Sequence, residues 1–128
     1  MTLLGDVLDE IPIEYRERFE AIATGPLGSV DHVLIEIKRY VATVHQIAPM
    51  VRSLDPVLAD RLAVSCSALL ERHGEGEEGT LALAAATYFV EEEDDDEITG
   101  VLGFDDDAQV VNAVCRVLGH VDLIVSIR

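Results

Sequence analysis

Apolar residues recur at helical spacing along most of the chain, and glycine or proline marks where each run stops. Pro12 suits the first position of a helix, Tyr15, Phe19, Ile22 and Ala23 follow at the spacing of one helical face, and Gly25 ends the run. Gly25 to Ser29 reads as a turn. Ser29 is a natural N-cap with Asp31 behind it in the first turn, and Val30, Val33, Leu34, Ile37, Val41, Val44 and Ala48 form one stripe that predicts the longest helix. Pro49 ends or kinks it. Asp55-Pro56 supplies a cap followed by proline at the first helical position, and Leu58, Leu62, Cys66, Leu69 and Leu70 predict a third helix closed by Gly74.

After an acidic glycine loop from Glu75 to Gly79, the run Leu81 to Val90 is apolar on every side, which predicts a central, fully buried element. Ala82, Ala84, Ala85 and Ala86 favour helix over buried strand there. A last helix is expected from about Asp106 towards Ile127, opened by a capping box of Asp106 with Gln109 and weakened in its middle by Gly119. The pattern shows no internal repeat. It predicts an all-α fold, a compact bundle of four or five helices in a single domain spanning residues 1–128.

Charge narrows the possible partners. The chain carries 25 acidic residues against 9 lysines and arginines, with Lys38 the sole lysine, for a net charge of −16. Such a surface repels phosphate backbones and anionic lipids, so no nucleic-acid or membrane partner is expected, whereas a basic protein surface or a cation suits it. No uncharged stretch approaches the ~20 residues of a membrane-spanning helix. The first ten residues include acids and no base, unlike a secretory signal, so the expected location is cytoplasmic. Cys66 and Cys115 have apolar neighbours and no ligand-spaced partner, which predicts free core thiols.

Between Gly74 and Asp107 lie thirteen acids and no base, concentrated in Glu91, Glu92, Glu93, Asp94, Asp95, Asp96 and Glu97 and again in Asp105 to Asp107. Like-charge crowding costs free energy unless the carboxylates are solvated or a cation sits among them. Glu91 to Glu97 are therefore the candidate contacts for a basic partner. The same oxygens suggest calcium or magnesium: with Asp95 first, Glu97, Thr99, Gly100, Leu102 and Asp106 fall at the third, fifth, sixth, eighth and twelfth places of an EF-hand pattern. Glutamate at the third place and aspartate at the twelfth depart from the usual ligand set, so Asp95, Glu97 and Asp106 are candidate ligands of a looser site.

Tyr88-Phe89, the acids after them, Ile98, Gly100, Gly103-Phe104 and Asp106-Asp107-Ala108 together resemble the core motif of the YkvA-like domains, a bacterial family of unknown function. In that family a tyrosine-containing helix runs into a proline-rich loop, and a glycine precedes paired aspartates that open the next helix. Gly103, Asp106 and Asp107 match residue by residue, while an acidic insertion replaces the prolines. The resemblance implies a small helical domain and no particular chemistry.

Catalytic signatures are sparse. There is no Gly-x-Ser-x-Gly elbow, and His32, His45, His73 and His120 lack metal-ligand spacing, which leaves them as helix-surface or helix-end residues. Glu14 with Glu17, or Glu91 with Asp94, has the spacing used by helical magnesium-dependent nucleotide hydrolases, but the acidic segment contains no arginine or lysine to hold phosphate. The leading expectation is thus a non-catalytic acidic module whose loop 91–107 binds a basic partner. A divalent-cation-binding domain and a metal-dependent nucleotide hydrolase are the alternatives.

Overall fold

The computed structural model describes residues 2–50, 55–73, 75–91 and 104–126. These residues form α1 (Leu3–Glu10), α2 (Ile13–Thr24), α3 (Val30–Ile47), α4 (Pro56–Arg72), α5 (Gly76–Val90) and α6 (Asp105–Leu118), with 3-10 turns at Ala48–Met50 and Val121–Leu123. The fold is the expected all-α bundle. α1 is additional to the elements expected from periodicity. Leu3, Leu4, Val7, Leu8 and Ile11 carry the spacing for it, and the Thr2 hydroxyl caps it by accepting the Gly5 amide at 3.0 Å. Eight residues are too few for a stable isolated helix, so α1 depends on burying Val7 against its neighbours and on the Glu10 to Arg116 ion pair of 2.8 Å that ties it to α6.

The central helices start where their caps dictate. The Ser29 hydroxyl accepts the His32 amide at 3.1 Å, and the Asp55 carboxylate accepts Val57 and Leu58 amides at 3.0 and 3.1 Å ahead of Pro56. α3 is the longest helix, as its stripe predicts. α5 is the central element and packs against α1, α2, α3, α4 and α6, with Leu81, Ala82, Ala84, Ala85, Ala86, Tyr88 and Phe89 all buried. Its alanines let the surrounding helices approach closely, which is why one helix can touch five others. Contrary to the expected loop from Glu75 to Gly79, this helix already begins at Gly76. Glu77 and Glu78 occupy its first turn, where carboxylates face the positive end of the helix dipole.

Two expectations about the last helix are corrected. α6 starts at Asp105 with Phe104 in the cap position, so the capping box of Asp106 with Gln109 does not form and Asp106 lies inside the first turn. The helix also stops at Leu118 instead of running towards Ile127. Gly119 adopts φ 82°, the left-handed conformation open to glycine, and the amides of Gly119 and His120 turn back onto the carbonyls of Arg116 and Cys115. What looked like a weak point in a long helix is its terminator. The chain then folds back and buries Val125.

Candidate functional site

The acidic segment lies in sequence between the end of α5 and the start of α6, and both flanks carry buried aromatic residues. Tyr88 and Phe89 close α5, and Phe104 precedes α6; all three are buried. The Tyr40 ring from α3 meets Phe89 edge-on at 5.2 Å and Phe104 at 6.1 Å, while Phe19 from α2 lies 6.4 Å from Tyr88. Such tilted and T-shaped pairs contribute about 0.5–1.5 kcal/mol each beyond their burial. Five of the six aromatic side chains of the protein thus gather at the base of the acidic segment.

Arg18 crosses this base. Its guanidinium lies 4.4 Å from the Tyr88 ring centre, and its NH2 group donates to the Glu91 carbonyl at 2.6 Å. The Tyr88 hydroxyl donates to Asp106 Oδ2 at 3.4 Å, a long contact. Burial, with Asp106 adding to it and Arg18 partly opposing, pushes the Tyr88 phenol far above the ordinary tyrosine range. Burial and the charges of Asp106, Glu14, Asp105 and Asp107 raise Tyr15 in the same direction. Both phenols therefore remain neutral. Tyr15 of α2 thus lies within electrostatic reach of the acids that open α6.

Of the candidate partner-binding residues, Glu91 is exposed directly after α5, while Glu92, Glu93, Asp94, Asp95, Asp96 and Glu97 lie outside the described residues. Of the candidate metal ligands, Asp95 and Glu97 likewise lie outside them, and Asp106 is half-buried with one oxygen facing Tyr88. Among the described residues no three histidine, cysteine, aspartate or glutamate side chains form a metal-binding group. Glu14 and Glu17 are both exposed on α2.

Tertiary structure supplies what sequence spacing missed. The segment from Gly74 to Asp107 has no base of its own, yet Arg18, 73 residues before Glu91, is delivered to it by the packing of α2 on α5. His73 and His120 are likewise brought into contact, Nε2 to Nε2 at 2.6 Å, although 47 residues separate them. His45 pairs with Asp60 at 2.8 Å on the surface, and His32 is exposed. Cys66 and Cys115 are free and buried, as expected. Burial raises both thiols, Cys66 far above the ordinary range and Cys115 to about 11, so neither forms the thiolate that nucleophilic chemistry needs.

Two surface depressions lie among the described residues. An apolar groove of about 570 Å³ runs between α3 and α4, lined by Val41, Ala42, Ala63, Val64 and Ala68 with Lys38 and Glu71. A polar cleft of about 440 Å³ lies where the α1–α2 turn meets α6. Its two arginines are engaged in holding the fold, Arg16 Nε on the Ile11 carbonyl and Arg116 Nε on Glu10, both at 2.8 Å. No helix among the described residues is long and apolar enough to cross a membrane. No protein family, curated protein or solved structure matches this chain.

Proposed function

We propose that the chain is a non-catalytic acidic interaction module whose segment 91–107 binds a basic surface on a partner protein. The supporting observation is the anchoring of both ends of an acid-rich, base-free segment: Arg18 holds the Glu91 carbonyl, and Phe104 is buried among the aromatic rings just before Asp105 to Asp107. Buried aromatics and an arginine fix the residues on either side of the intervening carboxylates. Carboxylates this dense along the chain steer a cationic surface towards the segment and make association fast and salt-dependent.

The test is titration of the protein with an oligo-arginine peptide, read by fluorescence anisotropy at several ionic strengths between about 0.05 and 0.5 M, where screening shortens steeply. Binding that weakens with salt and disappears when Glu91 to Glu97 are replaced by their amides supports the reading. Affinity indifferent to salt, or retained by the amide variant, overturns it. Thermal unfolding with calcium or magnesium at matched ionic strength separates the cation alternative. An ion-specific rise in Tm, abolished by Asp95→Asn with Asp106→Asn, would put a metal site in place of the partner.

A further inference from the structure

Beyond Gly119 the chain is held to the bundle by polar clasps. Ser65 donates to the Leu123 carbonyl at 2.6 Å, Arg72 forks onto Asp122 at 2.9 and 3.3 Å, and the Asn112 amide brackets the Val125 backbone with two bonds of 2.8 Å. The fourth clasp joins His120 to His73, which closes α4, through the Nε2 to Nε2 contact of 2.6 Å. Their outer nitrogens are engaged too. Arg72 NH1 lies 3.1 Å from His120 Nδ1, and Glu78 Oε2 lies 3.0 Å from His73 Nδ1.

Counting protons assigns both rings. A guanidinium only donates and a carboxylate only accepts, so His120 Nδ1 is an acceptor and its ring proton sits on Nε2. That proton is given to His73 Nε2, which leaves the His73 proton on Nδ1, facing Glu78. The bonds then run one way, from Arg72 through His120 and His73 to Glu78, with one ring proton on each imidazole. A metal ion between the two Nε2 atoms does not suit this arrangement, because ligation would move the His120 proton to Nδ1 against Arg72.

No place remains for a further proton. On His120 Nδ1 it would oppose Arg72; on His73 Nε2 it would set N–H against N–H across 2.6 Å. Glu78 faces the other nitrogen of His73, and Asp122 lies within electrostatic reach of His120. Asp122, bound to Arg72, is the other charged group near the pair, and the neutral Cys115 thiol and Arg116 of α6 lie behind it, Arg116 being paired with Glu10. Glu77 is turned away, accepting the Leu3 amide at 3.1 Å.

We propose that the His73 to His120 contact is a pH-sensitive latch: proton uptake by His73 breaks it and loosens residues 120–123 from the ends of α4 and α5.

Nitrogen NMR of the imidazole rings at about pH 7.5 tests the resting state in the unaltered protein, with the proton expected on Nε2 of His120 and on Nδ1 of His73. The opposite tautomers overturn the proposal. Amide exchange tests the opening, since Leu123 and Ile124 amides bond to the carbonyls of His120 and Val121. After correction for intrinsic rates, their protection should fall by up to about ten-fold per pH unit during acidification, while amides of α3 hold theirs. In His73→Gln the fall should vanish. Constant protection in the native protein, an equal loss in α3, or an unchanged fall in His73→Gln would each refute the latch.

Discussion

Replacing Arg18 by leucine removes the cation at the base of the acidic segment while keeping an apolar stem of similar reach. The guanidinium stands 4.4 Å from the Tyr88 ring centre at a half-buried position, a contact that contributes about 0.5–1 kcal/mol. Its bond to the Glu91 carbonyl, 2.6 Å long and charged on the donor side, contributes about 1.5 kcal/mol. Leucine keeps an apolar side chain of the same stem length at the position, so lost packing adds little. The expected loss is about 2–3 kcal/mol out of the roughly 5–15 kcal/mol typical of a domain, or a Tm lower by about 8–12 °C for a chain of this size. Salt gives the diagnostic. Raising ionic strength from 0.1 to 1 M shortens the screening length from about 10 to about 3 Å, so the gap between native protein and variant should narrow by about 1 kcal/mol. Arg18→Lys keeps the charge without the flat fork over the ring and should recover about half the loss. Urea denaturation followed by circular dichroism measures these differences. A loss under about 0.5 kcal/mol, or a gap that does not respond to salt, would refute the role assigned to Arg18.

Two further perturbations probe the fold around the site. Gly119→Ala should cost about 1–2 kcal/mol in urea unfolding, because a Cβ at φ 82° is strained even though the space around it is open, and Gly119→Asn should cost less; equal stability of all three proteins would remove Gly119 as the terminator of α6. Tyr88 predicts alkaline sensitivity: its folded-state pKa is raised, so its contribution is intact below the unfolded value of about 10 and is lost as pH rises through that value towards the folded one, by up to about 1.4 kcal/mol per unit. Urea midpoints at pH 9 and 11 should therefore diverge less in Tyr88→Phe than in the native protein, with Tyr15 sustaining a residual dependence of the same sign, and identical divergence in both would contradict the burial of a neutral phenol.

Where information is local, it was legible in the chain. Ser29 and Asp55 cap α3 and α4 through hydrogen bonds that span two or three residues, and the all-round apolar run at Leu81 to Val90 required a central position because no face of it suits water. α1 was equally written in Leu3, Leu4, Val7, Leu8 and Ile11, but so short a helix gains its stability from α6 and α2, and periodicity alone does not report that support. The end of α6 was hidden for the opposite reason. Val121, Ile124 and Val125 continue a plausible apolar pattern past Gly119, and only the packing of Val125 under the Asn112 clasp favours folding back over another helical turn.

The acidic character of the site belongs to the sequence, since net charge and the run from Glu91 to Glu97 do not depend on how the chain folds. Which cation meets that charge, and which histidines meet each other, was decided by tertiary structure. Arg18 reaches Glu91 across 73 residues and His73 reaches His120 across 47, in both cases because helices distant in sequence bury their apolar faces together. Hydrophobic burial depends on area and not on partner identity, so it fixes where helices lie; the polar contacts at their ends follow from that placement, and no spacing along the chain encodes them.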